Sequence, residues 1–166
     1  MSDSATFKSL LKRFPAFRKL ESDHLEWLAS KAKPFHADVG QDILLPDRIP
    51  EYCFCILEGR GRLLHEDPGL RRPVTLALSN PGDLVGWVGL ARNAPCEWVT
   101  ASTPMKLIGI DADDFETLST ESTAFASWIA RQSSPAEFVD ALRPAMRRRS
   151  KADPPEREIL RLLLPG

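Results

Sequence analysis

The sequence has few of the features that mark membrane-spanning, secreted or nucleic-acid-binding chains. No apolar run reaches the length of a membrane span, and no basic segment leads into an apolar stretch at the N-terminus. The formal net charge is only −1, so no overall basic field attracts nucleic acid, although a local patch is compatible with this charge. We expect a soluble, cytoplasmic chain without direct membrane insertion and without direct nucleic-acid binding.

Cysteine is also scarce, and its spacing does not suit a disulfide or a structural metal site. Cys53, Cys55 and Cys96 are an odd number without a Cys-x-x-Cys pair. Cys53 and Cys55 would share one face of an apolar strand, and we interpret all three cysteines as buried thiols in a reducing cytoplasm. No nucleophile and base lie at a useful spacing, so we expect neither an enzyme nor a cofactor or metal.

The 166 residues are enough for one domain with a hydrophobic core. Residues 1–32 carry apolar side chains at helical spacing, which predicts one helix over Ser4–Phe14 and a second helix with Ser22 as its N-cap. From residue 33 to residue 111, short β-branched and aromatic segments alternate with turn residues about every ten positions. This part of the chain is predicted to be all-β.

The β segments number eight, as expected of a jelly roll. They are predicted over residues 34–37, 42–45, 52–58, 60–65, 73–78, 84–85, 98–103 and 106–110. The predicted fold class is therefore α+β, mainly β: an eight-stranded jelly-roll barrel flanked by N-terminal and C-terminal helices.

Residues 112–150 are predicted to be helical again. One helix is capped by the acids at 111–114 and carries Phe115 to Ile129, and another begins near Ser134-Pro135 and bends at Pro144. Residues 147–151 form a basic run that we interpret as a solvated helix end. Residues 151–166 are predicted to be a linker and a short Leu-rich helix, which needs a partner surface.

The most informative stretch is Pro81–Thr103, where three glycines lie among apolar residues. Closely spaced glycines with free backbone N–H groups can form a concave receptor for an anion, and a bulged turn between two strands is the alternative. The candidate ligand-binding residues are Val85, Gly86, Trp87, Val88, Gly89, Leu90, Arg92, Pro95, Cys96, Glu97 and Trp98.

Residues Phe17–Leu142 resemble the cyclic-nucleotide-binding domain family, the sensor module of catabolite-activator-type regulators, cyclic-nucleotide-dependent kinases and gated channels. The apolar strand and Gly-containing turn at Tyr52–Leu63 carry the resemblance, together with the Pro-Gly-Asp-Leu-Val-Gly sequence that begins at Pro81. The resemblance implies a phosphate cassette in which backbone N–H groups and one Arg hold a cyclic phosphate and one Glu holds the ribose.

The chain departs from that cassette at both functional side chains. The family Glu falls on Trp87, and the family Arg falls on Pro95 or Cys96. Indole accepts no hydrogen bond, and neither Pro nor Cys carries a permanent positive charge. A small anionic ligand is compatible with the loop if Arg92 turns inward; alternatively, Arg92 points into solvent and the Trp87 ring fills the pocket.

A narrower resemblance runs through residues 62–68, 72–76, 86–97 and 101–103. These segments are similar to the N-terminal cyclic-nucleotide-binding-like domain of cyanobacterial peptide-secreting ABC transporters, which implies a regulatory module on the cytoplasmic face of a transporter. Its partners would be the downstream domains of the transporter. The alternative is the sensor domain of a catabolite-activator-type transcription regulator without its DNA-binding half, and a homodimer through residues 135–146 is a separate hypothesis.

We predict that the chain does not bind cyclic AMP or cyclic GMP with micromolar affinity. Losing the guanidinium from a buried phosphate contact costs on the order of several kcal/mol, which converts a micromolar ligand into a roughly millimolar one. Isothermal titration calorimetry with each nucleotide measures this directly, and a micromolar Kd for either one would overturn the prediction.

Overall fold

The structure is a computed structural model and describes residues 3–66, 72–139 and 141. Two helices precede the strands, a short helix interrupts them, and two further helices follow. The elements are α1 Asp3–Leu11, α2 Ser22–Lys31, β1 Lys33–Ala37, β2 Asp42–Leu44, β3 Tyr52–Glu58, β4 Gly61–His65, β5 Val74–Ser79, β6 Leu84–Val85, α3 Trp87–Arg92, β7 Trp98–Ala101, β8 Met105–Asp111, α4 Ala112–Glu121 and α5 Thr123–Ile129. Residues 135–139 are also helical.

The strands form two four-stranded antiparallel sheets. The first has the order β1-β8-β3-β6 and the second the order β2-β7-β4-β5. The predicted fold class, mainly β with eight strands and flanking helices, is confirmed. Among the described residues no strand pairing joins the two sheets into a closed ring, so the strands form a jelly-roll-like sandwich rather than a closed barrel.

The first sheet is covered on both faces. Its central strands β3 and β8 are apolar at nearly every position, which is the pattern expected of strands buried on both sides. Cys53 and Cys55 face the helices, while Phe54 and Ile56 face the second sheet. All three cysteines are free, and burial raises the pKa of the Cys53 and Cys55 thiols, which keeps them uncharged. The predicted burial is confirmed for Cys53 and Cys55, whereas Cys96 is only partly buried.

Several predicted element boundaries were wrong. The first helix ends at Leu11, and successive turns carry the chain past Phe14. Ser22 is the first residue of α2 rather than its N-cap; Glu21 occupies the cap position without a side-chain hydrogen bond. The seventh strand ends at Ala101 instead of residue 103, because the N–H groups of residues 102 and 103 donate to the carbonyl oxygen of Arg60.

The helix predicted to run from residue 111 to Ile129 is two helices. Asp111 caps α4 as predicted, since its carboxylate accepts a hydrogen bond of 3.1 Å from the N–H of Asp113. Ser122 ends α4 and caps α5, because its hydroxyl oxygen accepts from the N–H of Phe125 at 3.2 Å. A serine that offers this local bond favours a new helix start over continuation.

Three sequence predictions lie outside the described residues. They are the bend at Pro144, the basic run at 147–151 and the Leu-rich helix within 151–166. Within residues 3–66, 72–139 and 141, no helix combines the length and the apolar character that a membrane span requires.

The C-terminal helices are held to the N-terminal ones by an aromatic cluster centred on Phe125. Its ring lies 5.8 Å from Phe17, 5.4 Å from Phe115 and 6.3 Å from Trp128, measured between centroids, and its side chain is fully buried. These contacts fix α5 beside the first sheet and so position the residues that follow it.

We expect Phe125→Ala to lower the free energy of unfolding by about 3–5 kcal/mol, because it removes a buried ring and leaves a cavity among three other rings. Phe138→Ala is the matched control: that ring is half exposed, and we expect a loss of less than about 1 kcal/mol. Urea denaturation followed by circular dichroism measures both, and equal losses would contradict this account of the core.

Candidate functional site

The predicted cassette forms a strand, one glycine and a short helix. β6 ends at Val85, Gly86 adopts φ 85°, and α3 follows over six residues before Asn93 ends it at φ 50°. A β-carbon on Gly86 would lie 2.7 Å from the carbonyl oxygen of Tyr52, so both the backbone angle and the close approach require glycine. The segment is therefore a helix start and not the alternative bulged turn.

Glu97 lies against this helix start. Its side chain is 5 % exposed, and its Oε2 accepts a hydrogen bond of 2.7 Å from the N–H of Gly86. The Ser134 hydroxyl, also buried, donates to the same carboxylate. The backbone donor at the beginning of the cassette helix is thus occupied by an acidic side chain of the chain itself.

The environment of Glu97 opposes its ionisation. The pKa of Glu97 is raised to about 7: burial and the nearby Glu137 carboxylate raise it, while the hydrogen bonds from Gly86 and Ser134 lower it. Desolvation is the dominant cause. A carboxyl with this pKa changes charge near neutral pH, and this one lies beside the helix start at Gly86.

The segment after α5 is tied to the cassette by two further contacts. The Ser134 N–H donates to Glu137 Oε2 at 3.0 Å, which is one of the two hydrogen bonds of a capping box, at the start of the helical residues 135–139. The other oxygen of Glu137 forms an ion pair with Arg92 at the end of α3. Arg92 is therefore half exposed and ion-paired. The two alternatives considered from the sequence were an Arg92 turned inward toward a ligand and an Arg92 pointing into solvent.

A cavity of about 350 Å³ lies between the cassette, β5 and the residues after α5. Trp87 and Trp128 form one wall, with ring centroids 6.2 Å apart at an interplanar angle of 69°. Trp87 is buried but leaves this space open rather than filling it. The lining contains the carboxyl groups of Asp83 and Glu97 and, among the described residues, no Lys, Arg or His.

The structure brings together only part of the predicted site. Val85, Trp87 and Glu97 line the cavity, while Gly86, Val88 and Gly89 are buried in the cassette backbone and the core. Leu90 lines a separate cavity on the other side of the cassette helix. Pro95 is exposed and Cys96 packs half-buried against both core clusters.

Trp98 lies apart from the cavity. It begins β7, and its indole N–H donates to the Asp42 carboxylate at 2.9 Å. The sequence prediction missed five residues of the site: Asp83, Trp128, Gln132, Ser134 and Glu137. The Ser-Pro-x-Glu pattern at 134–137 is a capping-box signal visible in the sequence, but nothing local shows that it meets the cassette.

The domain thus combines two antiparallel sheets and flanking helices with a short helix that starts at a left-handed glycine beside a cavity. The model of the cyclic nucleotide-binding domain family matches residues 35–122, more than half of the chain. The chain belongs to this family. A search of the curated proteins finds no match.

Solved structures with the same fold come from kinases and from a transcription regulator. A regulatory subunit of a cAMP-independent protein kinase A from Trypanosoma brucei has a TM-score of 0.72 at 19% identity over 84% of this chain and 51% of that one. The Trypanosoma cruzi counterpart bound to guanosine has a TM-score of 0.72 at 18% identity over 84% and 49%. The sensor domain of the transcriptional regulator DNR from Pseudomonas aeruginosa has a TM-score of 0.69 at 14% identity over 92% and 98%.

The protein therefore spans about half the length of the kinase regulatory subunits and nearly the whole length of the regulator's sensor domain. At these identities the similarity shows a shared fold, and the ligands of those proteins are properties of those proteins.

We predict that Glu97→Gln weakens the pH dependence of stability between about pH 4.5 and pH 7. The folded-state pKa of Glu97 is raised from 4.5 to about 7, so the native state retains a proton there that the unfolded state has lost. Stability from this group is present below about pH 4.5 and is lost as the pH rises to about 7, on the order of 3 kcal/mol in all.

Urea denaturation at several pH values measures this difference. Glu116→Gln, at an exposed position of α4, removes the same charge and is expected to leave the pH profile unchanged. A Glu97→Gln profile that parallels the parent profile contradicts the burial of an ionisable carboxyl.

Proposed function

We propose that this chain is a non-catalytic sensor domain whose cavity binds an uncharged ligand of nucleoside size and not a cyclic nucleotide. The observation that carries this proposal is the 2.7 Å hydrogen bond from the Gly86 N–H to the buried Glu97 carboxylate. That N–H belongs to the helix start at which the resemblance places a cyclic phosphate.

Charge supports the exclusion of an anion from this cavity. Two unit charges 4 Å apart repel by about 1 kcal/mol in water and by about 4 kcal/mol at the effective dielectric of a protein surface. A phosphate here would meet Asp83, and Glu97 wherever it is ionised, with no cation among the described lining residues to offset them. Arg92 does not supply that cation, because Glu137 already pairs with it.

The same lining suits an uncharged polar ligand with a flat ring. Trp87 and Trp128 offer aromatic surface for a base, and the carboxyl of Glu97 and the side chains of Gln132 and Ser134 offer partners for hydroxyl groups. The volume falls within the range of about 300–1,000 Å³ typical of small-molecule sites. The guanosine-bound Trypanosoma cruzi structure is support by analogy, since guanosine carries no phosphate.

We infer from the narrower sequence resemblance in residues 62–103 that the domain regulates a peptide-secretion ABC transporter from its cytoplasmic side, with the downstream domains as partners. A second candidate is the sensor domain of a transcription regulator, which the fold and near-complete coverage of the Pseudomonas aeruginosa sensor domain favour. The reading frame downstream of Gly166 distinguishes them: a peptidase domain and hydrophobic spans favour export, and a short helical domain favours transcription.

We expect guanosine or adenosine to bind at least about tenfold more tightly than the cyclic monophosphate of the same base, because the two carboxyl groups repel a phosphate but not an uncharged nucleoside. Isothermal titration calorimetry with the four compounds measures the ratio. Glu97→Gln is expected to narrow it by removing one repelling charge, and Glu116→Gln to leave it unchanged.

Trp128→Ala should weaken nucleoside binding, since it removes one aromatic wall. The proposal is wrong if the cyclic nucleotides bind as tightly as the nucleosides, or if no nucleoside binds at millimolar concentration.

A further inference from the structure

A second cavity, of about 360 Å³, lies between the turns that follow α1 and the loop that leads into β6. Phe14, Ile56 and Leu57 line it with apolar surface, the loop at residues 81–83 forms one side, and Arg13 and Arg18 line the other. Arg13 and Arg18, called the arginine pair below, both lie outside the cassette. The sequence analysis assigned neither arginine a role.

The arginine pair stands on a well-anchored backbone. The Phe14 N–H donates to the carbonyl of Leu11, and the Phe17 N–H donates to the carbonyl of Phe14, each at 3.0 Å. Phe14 and Phe17 are each only 1% exposed, so the turns between the two arginines are held to the core. Arg18 Nη2 donates to the Arg13 carbonyl oxygen at 3.3 Å, which brings its guanidinium over the same turn.

The charge of the arginine pair is not matched by the protein. Within the described part of the chain neither guanidinium forms an ion pair, and the cavity contains one acid, Asp83. Asp83 Oδ2 accepts a hydrogen bond of 2.7 Å from the Asn80 N–H, which directs it toward its own loop. Lys12 and Lys19 flank the pair in sequence, and the charge of Lys12 also acts on Glu26.

We propose that Arg13 and Arg18 form a binding site for an organic phosphate monoester. Guanidinium groups present paired N–H donors that match the oxygens of a phosphate, and a dianion offsets two guanidinium charges. The organic group would lie on Phe14, Ile56 and Leu57. The site is distinct from the cassette cavity, although Pro15, Gly82 and Asp83 line both, and it does not depend on the nucleoside proposal.

The test is a titration of the full chain with phenyl phosphate, followed by the backbone amide signals of Gly82, Asp83 and Arg18 in 1H–15N NMR spectra. We expect saturable shifts at these amides. Arg13→Gln and Arg18→Gln should each weaken binding about tenfold, and the double variant should abolish it. Both side chains are exposed, so the variants are expected to fold, and their spectra report this directly.

Lys19→Gln is the matched control, because Lys19 is exposed and adjacent in sequence but does not line the cavity. We expect it to change the affinity less than twofold, roughly the effect of one screened surface charge. An equal loss in Lys19→Gln and Arg18→Gln would mean that only the general positive field attracts the ligand, which overturns the site.

Two further ligands test the chemistry. Inorganic phosphate should bind more weakly than phenyl phosphate because it cannot use the apolar floor, and phenol should not bind. Equal affinity for phosphate and phenyl phosphate, or binding of phenol as tight as that of phenyl phosphate, contradicts the proposal. The affinity for guanosine or adenosine should be unchanged in the Arg13→Gln, Arg18→Gln double variant. A loss of phenyl phosphate binding in that variant therefore tests the arginine site separately from the nucleoside proposal.

Discussion

The arrangement of the cavity side of this protein depends on one hydrogen bond, from the backbone N–H of Gly86 to the buried carboxyl of Glu97. The donor exists because Gly86 can adopt a positive φ in a space too narrow for a β-carbon. The acceptor is held there by Ser134, which in turn begins a helix whose Glu137 pairs with Arg92. Cassette and C-terminal segment are therefore joined through a network of charged and polar side chains.

That network is possible because the first sheet, which is covered on both faces, supports the cassette at one end of the network and the C-terminal segment at the other. β3 and β8 pack against helices on one face and against the second sheet on the other. Gly86 follows β6, which pairs with β3, and Phe125 in α5 packs on the helix-facing side of the same core. The polar groups of the site thus stand on a rigid apolar scaffold, which favours a low dielectric around Glu97 and explains its raised pKa.

Part of the fold and of the candidate site could be predicted from the sequence, and the parts that could not be predicted have a physical explanation. Strands with a clear apolar pattern, such as Tyr52–Glu58, were predicted with the bounds that the structure shows. The break at Ser122 was missed because the hydrophobic spacing continues across it, while one side-chain bond to Phe125 decides the helix start. Glu97 was recognised as a candidate, but its partners Ser134 and Glu137 were not, since they lie 37 and 40 residues further along the chain.

Local patterns of glycine, apolar residues and charge in the sequence predict the fold class and the place of the cassette segment, because both depend on residues close together in the chain. The groups that face this segment follow from the tertiary structure: a carboxyl on the Gly86 N–H, two indoles and no cation among the described residues along the cavity, and an arginine pair on the other side of the Gly82–Asp83 loop. The reason is that burial and electrostatics act between groups close in space, and chain order does not record those distances.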